Sequence, residues 1–289
     1  MRQCQIIEAQ TPKGFRLSGL WFGPEKPVRA IIWLHGLQSS AFGGTGLRIS
    51  AELVDSESAV ILFSNRGHDS VAMLPHRNKK RRIMAGTTHE VFTDCVDDIE
   101  GMIGAVKACG AREIYLLGHS TGCQKSAYWA AKKGKGVNGL IWLAPISDYA
   151  GAMHHRGKAA IAKAAKAARA LVAKGKPHDL VPPALWPGEL LDAQRFLSLY
   201  SPDSHEEIFS YAQPERRPAV FERIKVPVLA IFAGRDEHAD RPAKQIAGWF
   251  THHAQNPLET KVIAGARHGF DSKEGEVAFA IRNFMKSSL

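Results

Sequence analysis

Apolar residues along this chain gather into short, dense runs separated by polar stretches that contain glycine or asparagine. Six runs are near-continuous: 30–36 (AIIWLHG), 59–65 (AVILFSN), 113–119 (EIYLLGH), 139–145 (GLIWLAP), 226–234 (VPVLAIFAG) and 260–266 (TKVIAGA). Runs without polar alternation suit strands buried on both faces, as in a parallel sheet. Two β-rich pieces, QCQIIEA and FRLSGLWFG, stand before them, and the QTPKG between predicts a hairpin or meander. Segments with helical spacing separate the runs and are expected to cover both faces of the sheet. The pattern therefore predicts an α/β fold with a mostly parallel central sheet of about eight strands.

The clearest helix is expected over 88–109, where Val91, Phe92, Cys95, Val96, Ile99, Met102, Ile103 and Val106 recur at i, i+3, i+4, i+7 spacing. Thr87 and Glu90 have the spacing of a capping box, and Gly110 closes the helix. Between the fourth and fifth runs, residues 148–224 break the alternation. This stretch is first Ala/Lys-rich, then Pro-rich (KPHDLVPPALWPGE), then reads RFLSLYSPDSHEEIFSY. It is expected to form a helical cap over one end of the sheet, inserted into a body made of 1–147 and 225–289. Within it, 158–174 is amphipathic, with Ile161, Ala164, Ala165, Ala168, Leu171 and Val172 on one side.

Gly118-His119-Ser120-Thr121-Gly122 matches G-x-S-x-G between a predicted strand and a predicted helix. A turn that sharp forces the serine into an unfavourable backbone conformation and leaves its hydroxyl in the open. Gly118 and Gly122 are needed where strand and helix pass too closely for side chains. Thr121 opens the helix, so its N–H is unpaired at the positive end of the dipole and can receive a developing oxyanion. A second donor is expected from the N–H of Leu37, in WLHGLQSS, where Gly36 lets the backbone approach.

A serine hydroxyl needs a base. His268, in AGARHGFD after the last predicted strand, is the candidate, and Asp236, in FAGRDEHAD after the penultimate strand, is the candidate orienting acid. Glu237, Asp240 and Asp148 are the rival carboxylates. The chain order Ser120, Asp236, His268 is that of one serine-hydrolase fold and not of the others. His35, His119, Arg66 and His68 are candidates to line the substrate pocket. His35 is expected mainly to brace its loop, and 64–70 (SNRGHDS) to form a structural turn. Cys123 is expected to pack beneath the nucleophile helix.

With these residues in place, the chain resembles the α/β-hydrolase superfamily over nearly its full length. Two segments, LLGHSTGCQ and RFLSLYSPDSHEEIFS, are similar to one family long labelled as of unknown function, which includes the fungal fusarinine-type siderophore esterases. The HGLQSS and NRGHDS loops look more like those of general bacterial esterases, including feruloyl and monoacylglycerol types. The resemblance implies an α/β-hydrolase fold with a cap. It also implies a cofactor-free serine carboxylesterase with Ser120, Asp236 and His268 as its triad. A thioesterase or acyltransferase would use the same acyl-serine, and a hydrolase-fold binding protein without turnover is the reading from another class.

Composition narrows the picture. The 289 residues are 45% hydrophobic and 23% charged, as in an ordinary globular protein. No apolar run approaches the roughly 20 residues of a membrane span, and MRQCQIIEAQTPKGF lacks the apolar core of a signal peptide. A cytoplasmic location is expected. Cys4, Cys95, Cys109 and Cys123 show no CxxC spacing, and the thirteen histidines are scattered, so no metal site is expected.

The net charge of +10 is concentrated in 77–82 (RNKKRR) and in 154–176 (HHRGKAAIAKAAKAARALVAKGK). Together these hold twelve of the 38 basic residues and no acid, which accounts for the whole excess. Both segments follow predicted parallel strands and should lie on the active-site side of the sheet. The charge is expected to be the solvated outer face of a cap helix, with steering of acidic esters toward the site as the functional alternative. No nucleic-acid reading motif accompanies the charge, so the expected partner is a small-molecule ester rather than a nucleic acid or a membrane surface.

Overall fold

The structure is a computed structural model and describes residues 3–287. Ten strands occur in chain order: β1 (Gln5–Gln10), β2 (Arg16–Phe22), β3 (Arg29–Leu34), β4 (Ser58–Phe63), β5 (Ala72–Leu74), β6 (Ile83–Ala85), β7 (Glu113–His119), β8 (Gly139–Leu143), β9 (Val228–Ala233) and β10 (Leu258–Ile263). All but β5 and β6 form one sheet, in the order β1-β2-β4-β3-β7-β8-β9-β10, while β5 and β6 pair with each other. β1 and β2 run antiparallel to their neighbours, and the remaining pairs are parallel.

The six apolar runs are the six parallel strands, and period-2 geometry sends their side chains to opposite faces. On β3, Ala30, Ile32 and Leu34 enter one apolar cluster while Ile31 and Trp33 enter the other. On β4, Ala59, Ile61 and Phe63 divide from Val60 and Leu62 in the same way. Helices α1 (Gly44–Leu53) and α8 (Glu274–Ser287) close one face through Ile49, Leu53, Val277, Ile281 and Phe284. The other face is closed by α2 (Cys95–Ala108), α3 (Thr121–Lys132) and α7 (Ala243–His253), through residues such as Ile99, Met102, Ala127 and Phe250.

The helix expected over 88–109 is shorter. Thr87–His89 and Phe92–Asp94 are 3-10 turns, and α2 begins only at Cys95. The capping box does not form because its two side chains are engaged elsewhere. The Thr87 hydroxyl donates to the Gly67 carbonyl and accepts from the Gln38 N–H. The buried Glu90 carboxylate pairs with Lys125 at 2.6 Å and Arg195 at 2.8 Å. Burial opposes its ionisation, but those two cations overcome it and hold the carboxyl at about 2.

Residues 148–224 divide between two cores. Helices α4 (Asp148–Arg156), α5 (Lys158–Ala173) and α6 (Ala193–Tyr200) enclose a third apolar cluster of Ile161, Ala164, Ala168, Trp186, Phe196 and others. Leu171 packs on its edge, and Val172 is exposed rather than on the inner side. Farther on, Ile208, Phe209, Tyr211, Phe221 and Ile224 belong to the main core. The cap in the packing sense therefore ends near Tyr200, and the chain then rejoins the body.

Glu207 lies at this return. Its buried carboxyl accepts from the Ser147 hydroxyl at 2.8 Å and from Gln213 at 3.2 Å. Burial pushes it up to about 7. The folded state thus keeps a proton that the unfolded chain releases near pH 4.5, and this contribution is complete below that pH and lost as pH rises through 7. Glu207→Gln should relieve that loss, raising stability relative to the parent by up to about 3 kcal/mol at pH 8.5 and by little at pH 5. Thermal unfolding at the two pH values checks this. An equal shift at both would refute it.

Candidate active site

Ser120 sits between β7 and α3 with φ 54° and ψ −125°, a conformation rare for a residue with a Cβ. Close packing explains the glycines around it. A Cβ on Gly122 would lie 2.1 Å from the Leu34 carbonyl oxygen, and one on Gly118 would lie 2.4 Å from that of Gly122. A Cβ on Gly36 would meet the Ser120 Cβ at 2.9 Å, so this glycine keeps the space beside the serine clear. Cys123 is fully buried beneath the elbow, its thiol donating to the carbonyls of Gly118 and Leu143. Thr121 is the first residue of α3, where an N–H has no helical partner. Leu37 lies in the loop after β3, and both it and Ser120 line the same cleft.

That cleft, about 590 Å³, lies between the carboxyl ends of the parallel strands and the cap. The body lends it Gly36, Leu37, His119, Ser120, His238 and His268, and the cap lends Asp148, Arg156, Trp186, Glu189 and Tyr200. Its volume suits a drug-sized ligand.

His268 comes from the loop after β10. Its Nδ1 lies 2.8 Å and 3.0 Å from the two carboxylate oxygens of the half-buried Asp236, on the loop after β9. Asp236 also accepts the His238 main-chain N–H at 3.0 Å, which fixes the carboxylate. With Nδ1–H donating to Asp236, Nε2 is the imidazole's proton acceptor. No hydrogen bond joins His268 to the Ser120 hydroxyl among the described residues. Such bonds commonly tighten only when substrate is bound.

The rival carboxylates are occupied otherwise. Glu237 accepts the His268 main-chain N–H at 2.9 Å and pairs with Arg267, so it holds the loop rather than the ring. Asp240 pairs with Arg241. Asp148 accepts from Gln124 Nε2 at 2.9 Å and faces the cleft. Burial, reinforced by the negative charge of Glu206, pushes its carboxyl well above the ordinary range.

Of the four histidine and arginine residues expected near the substrate, His119 alone lines the cleft among the described residues. Its Nε2–H donates to the His268 carbonyl at 2.9 Å, its ring lies 5.0 Å from the His268 ring, and burial with the nearby His268 charge pushes it down to about 3. It is a neutral brace for the histidine loop. His35 is fully buried, donating from Nδ1 to the Gly36 carbonyl and accepting the Asn65 N–H at Nε2. Burial, with the charge of Lys125 adding to it, pushes His35 down to about 3 as well.

Arg66 does not reach the cleft. Its guanidinium binds Asp98 at 2.6 Å and Asp97 at 2.7 Å and lies over the Phe15 ring. His68 turns to Asp69. An arginine facing Asp94, Asp97 and Asp98 is drawn to the carboxylates at the start of α2, and nothing in SNRGHDS announces that. Sequence reasoning also missed His238, whose ring lies 4.7 Å from that of His268. Its spacing of two from Asp236 was the available signal. Trp186, Glu189 and Tyr200 carry no local signal.

The basic segments are largely away from this cleft. Of their twelve residues Arg156 alone lines it among the described residues, lying 3.8 Å from Glu189 and over the Trp186 ring. The 77–82 segment joins β5 to β6, where Arg77 packs by Gly14 at the β1–β2 turn. His89, His178 and Asp192 also converge, a grouping that their spacing along the chain does not announce.

With this geometry in view, likeness to known proteins becomes informative. A family model described as a protein of unknown function, DUF1749, matches residues 87–285, a span that holds the elbow, the cap, Asp236 and His268. The chain belongs to the DUF1749 family. No curated protein matches it in sequence.

Among solved structures, DcsB in complex with its substrate analogue is similar at TM-score 0.70 and 15% identity, covering 99% of both chains. The siderophore hydrolase EstB from Aspergillus fumigatus is similar at TM-score 0.68 and 16% identity, again covering 99% of both. Est1E from Butyrivibrio proteoclasticus with bound ferulic acid is similar at TM-score 0.64 and 19% identity, covering 98% of both. This DUF1749 chain has the α/β-hydrolase fold, with the mostly parallel eight-stranded sheet that the apolar runs predicted.

Proposed function

We propose that the protein is a serine hydrolase of carboxylic esters working through an acyl-serine intermediate. The observation that carries the reading is His268, held by Asp236 at 2.8 Å and lining the same cleft as the strained Ser120. Ser120 Oγ attacks the ester carbonyl, and its proton passes to His268 Nε2. Asp236 holds the imidazole in the required tautomer and stabilises its cation. The N–H groups of Leu37 and Thr121 receive the negative charge on the carbonyl oxygen. His268 then gives its proton to the departing alcohol. Water, deprotonated in turn by His268, releases the acid.

The siderophore hydrolase and the ferulic acid complex among the structural neighbours support aromatic or siderophore-like esters as substrates. The test is a panel of aryl, feruloyl, glyceryl and hydroxamate-siderophore esters at low and high salt. We expect hydrolysis of at least one class. With the basic excess mostly outside the cleft, steering of anionic esters acts at long range and is screened by salt. Their kcat/KM should therefore fall with salt while kcat holds. Absence of turnover and of an acyl-enzyme burst across the panel would reject the esterase reading.

A further inference from the structure

Away from the cleft, three metal-ligating side chains meet at the seam between body and cap. Asp192, fully buried, presents one carboxylate oxygen to His89 Nδ1 at 3.0 Å and to His178 Nδ1 at 2.9 Å. The three ligand atoms all lie within 4.8 Å of one another. His89 belongs to the 3-10 turn before α2, whereas His178 and Asp192 belong to the cap. We propose that His89, His178 and Asp192 bind a divalent transition-metal ion of the zinc type and that the ion fastens the cap to the body.

The chemistry of the donors selects the ion. Two imidazoles and a carboxylate suit zinc and its d-block neighbours better than calcium or magnesium, which prefer an all-oxygen shell. A tetrahedral ion with bonds of about 2.0–2.1 Å needs ligand atoms roughly 3.3 Å apart. The two nitrogen–oxygen separations are already close to that, so the main adjustment is to bring the nitrogens together. His178 can make it, because its side chain is 58% exposed and its ring is free to swing.

The ligand that should not move is held. The other oxygen of Asp192 accepts the Arg195 N–H at 2.8 Å, capping α6, and the Asp192 N–H donates to the Thr88 carbonyl. Outer contacts of this kind orient a ligating group before the ion arrives. There is also an entry path: His89 and His178 both line a cavity of about 360 Å³, with the carboxylates of Asp94 and Asp98 and the guanidinium of Arg66 on its wall. With three protein ligands, the fourth position faces solvent and takes water.

The position gives the ion a mechanical role. The same seam carries the Asp192 N–H to Thr88, the Thr88 hydroxyl to the Leu190 carbonyl, Gln194 to the Glu90 carbonyl, and the buried Glu90–Arg195 ion pair at 2.8 Å. From there α6 runs to Tyr200, a wall of the cleft. An ion bound by body and cap together adds to folding stability directly, because the unfolded chain lacks the assembled site.

Cobalt(II) and then zinc(II) should be titrated into the metal-free full chain, prepared without a polyhistidine tag. The parent should show saturable visible ligand-field bands at one equivalent of cobalt, displaced by zinc, and a zinc-dependent rise in unfolding temperature. His178→Ala, at an exposed position, should keep the metal-free unfolding temperature. It should lose the bands and the zinc-dependent rise, with affinity reduced by more than the about 10–100-fold that changes in outer contacts cost. Ser120→Ala should bind metal as the parent does, so failure of this site and failure of the esterase reading are separately visible. Bands that survive in both His178→Ala and His89→Ala would place the ion on other histidines and overturn the proposal. So would a parent that binds no cobalt or zinc at about 100-fold excess over protein.

Discussion

Ser120→Ala is expected to lower kcat for p-nitrophenyl butyrate on the order of 10⁶-fold, with the unfolding temperature nearly unchanged. The two halves of that expectation have separate causes. Among the described residues the Ser120 side chain has no hydrogen bond, and its φ of 54° strains alanine no more than serine, so folding has little to lose. On the proposed mechanism the rate depends on the Ser120 hydroxyl, and the nearby thiol does not replace it. Cys123, the nearest thiol in sequence, is fully buried and committed to two carbonyls, and burial pushes its ionisation well up. What survives should be the modest acceleration from binding and from the proposed oxyanion donors Leu37 and Thr121. Steady-state kinetics with matched unfolding curves decides the matter. A variant within tenfold of the parent rate would place the chemistry on another residue.

The second large effect is expected at the acid. Asp236→Asn should lower kcat by about 10⁴-fold with little change in KM, because an amide can donate to Nδ1 and so stabilises the wrong imidazole tautomer. Without the carboxylate, the imidazolium formed when Ser120 gives up its proton also loses its counter-charge. The neighbouring Glu237 does not replace it, since its oxygens hold the His268 main-chain N–H and Arg267. Glu237→Gln should therefore cost less than about tenfold, acting through loop position alone. Kinetics of the two variants side by side separates the roles. Equal losses would mean that the acid is shared or that Asp236 serves only the fold.

Much of this molecule can be read from local pattern. The inner parallel strands are legible because burial on both faces removes polar residues from a run of five or six positions, as in β4, β8 and β9. The elbow is legible because two backbones approach within a distance that only glycine permits, and Gly118 and Gly122 mark it at fixed spacing. Expectations failed where a side chain's partner came from far along the chain. Glu90 has ideal spacing for a capping box with Thr87, yet Lys125 and Arg195 claim it, and the first turn of the helix is lost. Arg66 follows a strand at the cleft edge, yet the α2 carboxylates draw it away. In each case a buried charge must find its counter-charge, and that requirement outweighs the start of a helix or a place at the pocket.

By itself the sequence determined the sheet, the cap's presence and the serine's turn, because each follows from periodicity or close packing within a few neighbouring residues. Only the tertiary structure decided which carboxylate faces His268, which of the flanking histidines reach the cleft, and that residues 89, 178 and 192 share one point in space. Those outcomes depend on pairing between charges and ring nitrogens separated by tens to hundreds of residues. Such pairing is set by how the elements dock, and the spacing of residues along the chain carries no record of it.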